Sequence, residues 1–194
     1  MIAGLILAAG ASRRMGHDKA LLTYRGRTFL ETIIANLAAA GIGNITVVLG
    51  YHAESIQRAV RLTNVRVVIN PEYLRGQTSS LQLGMAAVAA NSPDAILLCL
   101  VDHPAISADV IVKLTKRFES TRAPVVIPTY EGQRGHPIVI GQGLFPELLA
   151  LSPDEPANTV VRKYRDATQF VEVADPGILL DVDDPETYKR LEHD

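Results

Sequence analysis

A loop rich in glycine and basic residues follows a short apolar run near the start of the chain. The run Ile2–Ala9 leads into residues 10–19, which read Gly-Ala-Ser-Arg-Arg-Met-Gly-His-Asp-Lys. Glycines in such a turn leave backbone N–H groups open to a ligand, and arginine and lysine add fixed positive charge. Phosphate groups need this combination, so we expect an anionic ligand at the loop.

Two common phosphate-binding motifs do not fit this loop. Gly10 and Gly16 enclose five residues and are followed by His17, whereas a P-loop has four residues between its glycines and then Lys-Ser or Lys-Thr. A Rossmann fingerprint requires G-x-G-x-x-G at the opening of a helix, which residues 10–12 do not provide. Both motifs are therefore rejected.

Aspartates in two later segments could hold a metal ion. Asp102 follows the apolar run Ala95–Val101, and Pro104 delays any helix, so the carboxylate should point off the end of a strand. The segment Asp181–Pro185 contains three more aspartates. Of these, Asp184 is placed to cap a helix that begins at the proline.

The other two aspartates of that segment, Asp181 and Asp183, lie two residues apart and should share one side of an extended chain. A reaction that gathers several phosphate groups needs counter-charge more than it needs an acid or a base. We therefore expect a divalent cation held by carboxylates, together with a lysine or an arginine.

Apolar runs alternate with segments of helical spacing up to Thr121. The predicted strands are Ile2–Leu7, Ile45–Leu49, Val65–Ile69 and Ala95–Val101, and the predicted helices are Thr28–Ala40, Ala53–Arg61, Ser80–Ala90 and Ala108–Glu119. This alternation predicts a three-layer α/β fold, a mostly parallel sheet with helices on both faces. Ligands bind such sheets beyond the carboxyl ends of the strands, so residues 10–19, 70–80 and 102–104 should converge on one edge.

The pattern changes after Thr121, where shorter elements are expected. The predicted strands are Pro124–Pro128, Ile138–Ile140, Gln169–Val173 and Ile178–Val182, with a turn at Glu131–Gly135, and the predicted helices are Leu144–Leu151, Ala157–Tyr164 and Pro185–Leu191. This half is the natural place for a smaller β insertion on the substrate side. Because no linker or repeat divides the chain, residues 1–194 are expected to form one domain.

Composition narrows the class of protein. The chain has 194 residues, 47% of them hydrophobic, and a net charge of −2. This net charge provides no positive electrostatic field that would hold a nucleic acid. Its single cysteine, Cys99, lies in an apolar run and allows no intramolecular disulfide. No apolar stretch approaches the roughly 20 residues that cross a bilayer, and the basic residues follow the first apolar run, unlike a secretory signal. We expect a cytoplasmic protein that binds neither membrane nor nucleic acid.

The opening loop resembles the signature of nucleotidyltransferases that activate phosphorylated compounds with a nucleoside triphosphate. The matching positions are Leu7, Ala8, Ala9, Gly10, Ser12, Arg14, Met15, Gly16 and Lys19. Within that superfamily the chain looks most like the molybdenum cofactor cytidylyltransferases, because Ala9 stands where the guanylyltransferase branch usually has glycine. The resemblance implies a Rossmann-like fold of the nucleotide-diphospho-sugar transferase type, with residues 1–121 mainly binding nucleotide and residues 122–194 mainly facing the acceptor.

The resemblance also implies roles for residues of the loop and of Asp102-His103-Pro104. Arg14, Lys19 and Asp102 are implied as catalytic residues, and Asp102 as a ligand of Mg²⁺. Asp183 is implied as the second ligand, by the family pattern of an acidic or amide residue shortly before a helix that begins with proline. His103 is open to three interpretations: loop filler, substrate contact, or support for a neighbouring group.

Two further segments resemble parts of this family. The segment Gly76–Leu81 is similar to one that reads the base and ribose, which implies that Ser79 and Ser80 bind nucleotide alongside the opening loop. Ser79 and Gln82 also have the spacing of a helix capping box, and both interpretations can hold. Gly135-His136-Pro137 resembles an element that borders the pterin site, which implies that His136 and Pro137, with His103, bind the acceptor.

The reaction that the resemblance implies is Mg²⁺-dependent transfer of a nucleotidyl group, with CTP as donor and the phosphate of molybdopterin as acceptor, releasing pyrophosphate. Guanylyl transfer from GTP to the same cofactor, or transfer to another small phosphorylated acceptor, stays open. A protein of another class, a non-catalytic factor that delivers the cofactor to a client molybdoenzyme, is the competing hypothesis. The presence of Arg14, Lys19, Asp102 and an acidic pair near the C-terminus favours the enzyme.

Overall fold

The computed structural model describes residues 1–12 and 14–193. The strands are β1 (Ile2–Ala8), β2 (Thr23–Tyr24), β3 (Arg27–Thr28), β4 (Ile45–Leu49), β5 (Arg66–Ile69), β6 (Ala95–Leu100), β7 (Val125–Tyr130), β8 (Gln133–Arg134), β9 (Ile138–Gly141) and β10 (Gln169–Glu172). The α-helices are α1 (Phe29–Ala39), α2 (Ala53–Ala59), α3 (Gln77–Ala89), α4 (Ala108–Thr121), α5 (Phe145–Ala150), α6 (Asn158–Lys163) and α7 (Pro185–His193).

Eight of the strands form one sheet in the order β10-β7-β9-β6-β1-β4-β5, with β8 paired to β7. Strands β1, β4, β5 and β6 are mutually parallel, whereas β9 runs antiparallel to both β6 and β7. The predicted mostly parallel sheet is confirmed. The strands of residues 122–194 extend the same sheet as the strands of residues 1–121, so no break divides the two halves.

Helices cover both faces of the sheet, as the sequence predicts. Along β1, Ile6 and Ala8 belong to the apolar cluster that holds α1, α2 and α4, while Leu5 and Leu7 belong to the cluster that holds α3, α5 and α6. Side chains of a strand point alternately to its two faces, so a strand buried on both sides reads as a continuous apolar run. That accounts for the composition of β1, β4 and β6, including Cys99, whose burial raises the pKa of its thiol to about 12.

The predicted strand Ile178–Val182 is wrong. Residues Pro176–Leu179 form a short 3-10 helix, and an extended segment without strand pairing follows. The Asp175 carboxylate accepts a hydrogen bond from Gly177 N at 2.9 Å, and the proline fixes the first position of the turn. Val182 N then donates to Asp102 O at 2.9 Å. The segment therefore passes the end of β6 and brings its aspartates to Asp102.

The predicted capping box of Ser79 and Gln82 is also wrong, because α3 begins earlier, at Gln77, with Gly76 as its N-cap. Ser79 Oγ donates to Gly76 O at 2.8 Å, and Gln82 Nε2 donates to Leu151 O at 2.8 Å. Gly76 has φ 104°, a backbone conformation that favours glycine. This glycine, which sequence reasoning passed over as a cap, sets the start of the helix.

The cap of the last helix is as predicted. Asp184 Oδ1 accepts a hydrogen bond from Thr187 N at 2.8 Å, ahead of the proline that opens α7. Within the described part of the chain, no helix combines the length and the apolar character that a membrane span requires.

Candidate functional site

A cavity of about 350 Å³ lies beyond the carboxyl ends of the central strands. The loop after β1, the start of α3 and the residues that follow β6 and precede α7 all contribute to its wall. The expected site residues in the wall are Leu7, Ala9, Gly10, Ser12, Arg14, Lys19, Ser80, Asp102 and Asp183. The expected convergence of three distant loops on one sheet edge is therefore observed.

Lys19 stands between two carboxylates that are far apart in sequence. Its Nζ lies 3.2 Å from Asp102 Oδ2 and 2.5 Å from Asp183 Oδ1. Burial by itself would lower the pKa of Lys19, but the carboxylates of Asp183 and Asp102 outweigh it and raise that pKa. The ammonium therefore stays charged at neutral pH and bridges the pair.

Arg14 adds a second positive charge at the mouth of the cavity. Its Nη2 donates to Asp183 Oδ2 at 2.6 Å, and most of its side chain is exposed. The hydrogen bond from Lys19, together with the nearby Arg14 guanidinium, lowers the pKa of Asp183 against the opposing effect of burial. Asp183 is accordingly ionised in the folded protein.

Three carboxylates, those of Asp102, Asp181 and Asp183, stand against two positive charges, those of Lys19 and Arg14. Burial raises the pKa of Asp181, and repulsion from Asp102 and Asp183 raises it further. Asp102 Oδ1 is buried and has no hydrogen-bond partner among the residues that the structure describes. Carboxylate oxygens are the ligands that Mg²⁺ prefers. A buried oxygen without a partner, in a cluster with excess negative charge, therefore fits a divalent cation.

The two serines at the start of α3 have different positions. Asn70 Nδ2 donates to Ser79 Oγ at 3.0 Å and to Ser80 Oγ at 2.9 Å. Ser80 lines the cavity, whereas Ser79 does not and is hydrogen-bonded to the backbone of the preceding loop. The structure thus places Ser79 behind the cavity wall, and Ala8 also lies outside the wall.

The two histidines lie together behind Asp102. The rings of His103 and His136 are 4.9 Å apart between centroids, at an angle of 44°. Burial lowers the pKa of both, that of His136 to about 4, so both rings are neutral at pH 7. His136 N donates to Ile178 O at 3.0 Å, and Pro137 immediately precedes β9. His103, His136 and Pro137 do not line the cavity itself.

Several residues of the site were not singled out from the sequence, although those in residues 70–80 lie in a loop that was expected at this edge. Tyr73, Gln77 and Leu100 line the cavity, and Tyr73 packs against Tyr51 with ring centroids 5.9 Å apart. Tyr73 begins a short 3-10 helix, Tyr73–Arg75, that carries no motif, so only its place after a strand could have indicated it. Asn70, directly after β5, carried the same positional signal.

Comparison with known proteins agrees with this geometry. Residues 4–168 match the family described as MobA-like NTP transferase domain. Nicotine blue oxidoreductase of Paenarthrobacter nicotinovorans is 32% identical, with 98% of this chain and 96% of the relative covered. Molybdenum cofactor cytidylyltransferase of Escherichia coli strain K12 is 28% identical, with 95% and 92% covered.

A solved structure shows the same fold. The protein Rv0371c of Mycobacterium tuberculosis H37Rv, crystallised in complex with manganese, superposes with a TM-score of 0.84 at 27% identity, covering 100% of this chain and 98% of that chain. The family match spans most of the sequence, and the relatives align over nearly their whole lengths. The chain belongs to the MobA-like NTP transferase domain family and is a nucleotidyltransferase.

Proposed function

We propose that this enzyme transfers CMP from CTP to the phosphate of a molybdopterin-type cofactor, with Mg²⁺ as the metal and pyrophosphate as the second product. The observation that carries the proposal is the position of Lys19 between Asp102 and Asp183, at the end of the glycine-containing loop. The name of the Escherichia coli relative supports the choice of donor and acceptor. The Paenarthrobacter relative is named as an oxidoreductase, so the choice of reaction rests on the side chains of this chain.

The chemical problem is charge. The nucleophilic phosphate, the α-phosphate and the leaving pyrophosphate are all anionic, and the acceptor phosphate is already ionised, so no strong base is required. Asp102 and Asp183 would hold the Mg²⁺, which supplies Lewis-acid stabilisation of phosphate charge when bound.

The basic residues of the loop have separate tasks in this proposal. Arg14 is exposed at the cavity mouth and has a planar fork that can engage two phosphate oxygens. Lys19 is a buried point charge and can follow the negative charge that develops on the α-phosphate and the leaving oxygen. Gly10 and Ser12 line the cavity, and we assign the nucleotide phosphates to them.

Ala9 and the first residues of α3 would determine which nucleotide base the cavity accepts. Ala9 lies in the cavity wall together with Gly76 and Ser80. A methyl group at residue 9 leaves less room beside the backbone than glycine, which favours a pyrimidine over a purine. We therefore propose that the enzyme uses CTP in preference to GTP. Ser80 would contact the nucleotide directly, whereas Ser79 would stabilise the loop before α3 through its hydrogen bond to Gly76 O.

The acceptor would lie on the side of the second half of the chain. His103, His136 and Pro137 form a group beside Asp102, at the end of the sheet that β7, β8 and β9 build. We propose that this group borders the acceptor and that a molybdoenzyme client receives the product.

The proposal is tested by measuring pyrophosphate release with each nucleoside triphosphate, Mg²⁺ and molybdopterin. We expect CTP to give the highest kcat/KM, and Asp102→Asn to lower kcat by more than about tenfold, which equals about 1.4 kcal/mol of transition-state stabilisation. Equal kcat/KM for CTP and GTP would remove the argument from Ala9. Tight binding of molybdopterin with no pyrophosphate release from any triphosphate would favour the delivery factor.

A further inference from the structure

The two oxygens of Asp102 face different partners. Oδ2 accepts a hydrogen bond from Lys19, whereas the buried Oδ1 lies 3.9 Å from His103 Nε2, a distance beyond hydrogen bonding. The catalytic arrangement proposed above uses the side of Asp102 that faces Lys19 and Asp183. The unpartnered Oδ1, whose burial fits a divalent cation, lies on the other side, which faces His103.

A second group of ligand atoms lies on that side. One ligand atom from each of Asp102, His103 and Asp181 lies within 4.8 Å of the others. His103 is only 6% exposed, and its Nδ1, like Asp102 Oδ1, has no hydrogen-bond partner within residues 1–12 and 14–193. Buried polar atoms are nearly always partnered. Asp102 Oδ1, which lies in this cluster and faces His103 Nε2 without a hydrogen bond, therefore indicates a missing cation.

We propose that Asp102, His103 and Asp181 form a second divalent-cation site, beside the position held by Lys19, which takes a first-row transition-metal ion in preference to Mg²⁺. Asp102 would bridge the two cation positions, with Oδ1 serving one and Oδ2 the other. The second site is defined without Asp183, which lies on the Lys19 side.

The distances suit a single ion. Ligands about 2.1 Å from one metal stand about 3.0 Å apart at a right angle and about 4.2 Å apart when opposite. The 3.9 Å between His103 Nε2 and Asp102 Oδ1 falls in that range. The three ligand atoms lie within 4.8 Å of one another, so a small rotation of the exposed Asp181 side chain suffices for coordination. On the solvent-exposed side of Asp181, coordination positions of the metal stay open for water or for an oxygen of a ligand.

The imidazole decides which metal the site prefers. Mg²⁺ favours oxygen ligands and holds its water strongly, whereas imidazole nitrogen suits Co²⁺, Zn²⁺ and Fe²⁺. One nitrogen and two carboxylates therefore select a transition metal at this position, and the all-carboxylate pair Asp102 and Asp183 suits Mg²⁺. This division does not depend on the transfer reaction proposed above, because metal binding can be measured without nucleotide.

Equilibrium dialysis of the metal-free protein against Co²⁺, in about a hundredfold excess of Mg²⁺, tests the site directly. We expect one Co²⁺ per chain to stay bound, and His103→Asn and Asp181→Asn each to weaken its binding by more than about tenfold. His17→Asn is the matched control, since His17 is exposed and lies outside the cluster. Asp183→Asn should keep the Co²⁺, because that carboxylate belongs to the other position.

A spectroscopic measurement identifies the ligand. Pulsed electron paramagnetic resonance of bound Mn²⁺ should show hyperfine coupling to an imidazole nitrogen in the wild type and in Asp183→Asn, and none in His103→Asn. Circular dichroism checks that each variant is folded. Should His103→Asn fail to fold, the exposed Asp181→Asn and the wild-type nitrogen coupling still decide the question. Displacement of Co²⁺ by Mg²⁺, absence of nitrogen coupling, or loss of the ion in Asp183→Asn would overturn the proposal.

Discussion

Lys19 shows how one side chain can hold a site ready for a metal. Its ammonium neutralises part of the repulsion between Asp102 and Asp183, which lie on segments 81 residues apart in the numbering. This ion pairing offsets part of the negative charge of the cluster, and under the proposed function the remaining charge would be met by a cation. The sequence singled out Lys19 through the loop signature, Asp102 through the end of an apolar run, and Asp183 through the family pattern before a helix that begins with proline. It could not show that they touch, because their approach depends on how the segment before α7 crosses the sheet.

Replacing Lys19 tests its role in the transition state. We expect Lys19→Ala to lower kcat by about 10²- to 10³-fold, because a charge aimed at the developing negative charge is lost. KM for the triphosphate should change by less than about threefold. Arg14→Ala, by contrast, should raise KM, since the proposed function assigns Arg14 to phosphate binding in the ground state. An unchanged kcat for Lys19→Ala in steady-state kinetics would show that the loop after β1 binds the triphosphate but does not stabilise the transition state.

His136 should make the protein sensitive to acid. Burial lowers its pKa from 6.5 to about 4, with a smaller contribution from His103 in the same direction and an opposing one from Asp102. The unfolded state then binds the proton first, so the free energy of unfolding is highest above pH 6.5 and falls as the pH drops towards about 4. The loss attributable to this one group reaches about 3 kcal/mol.

Urea denaturation at several pH values measures this effect. In His136→Gln the slope of unfolding free energy against pH should be smaller than in the wild type by up to about 1.4 kcal/mol per pH unit between these limits. The comparison uses slopes, so a constant destabilisation by the substitution cancels. Identical slopes for the two proteins would show that His136 is not buried as neutral imidazole.

At the scale of elements, the strand–helix alternation of the first half was predictable because β1, β4 and β6 are almost wholly apolar and α1 and α4 each have one apolar face. The start of α3 was not, since a glycine at φ 104° replaced the expected serine cap. The segment Pro176–Val182 was also missed. Its apolar residues resemble a strand, but Asp175 and Pro176 form a turn. This segment carries Asp181 and Asp183 to the candidate site, so the largest error in the fold fell at an element of that site.

The contact between this segment and the loop before β9 depends on Gly135. A Cβ at Gly135 would overlap the carbonyl group of Ile178, whereas a Cβ at Gly143 would meet open space. We expect Gly135→Ala to reduce the free energy of unfolding by about 1–3 kcal/mol and to lower kcat, because it moves His136 and the aspartate segment apart. Gly143→Ala is the control and should change neither. Wild-type stability and activity for Gly135→Ala would refute this account of how the segment is held.

At the scale of the whole molecule, the site combines parts from both halves of the chain. The loop after β1 and Asp102 come from the first half, and Asp181, Asp183 and His136 from the second, all at one end of a continuous sheet. The net charge of −2 is small, so under the proposed function recognition of anionic substrates depends on the local placement of Arg14 and Lys19. A rigid sheet that fixes both sets of residues is what transfer between two bound phosphates requires.

Following the fate of the α-phosphate tests the proposed reaction at its centre. The enzyme is mixed with CTP radiolabelled at the α-phosphate, Mg²⁺ and molybdopterin, and the products are separated. We predict that label moves into the pterin fraction in amounts equal to the pyrophosphate formed, and that Asp102→Asn lowers this transfer by more than about tenfold. Label that remains in CTP or appears only as free CMP, while molybdopterin is bound, would contradict nucleotidyl transfer to this acceptor.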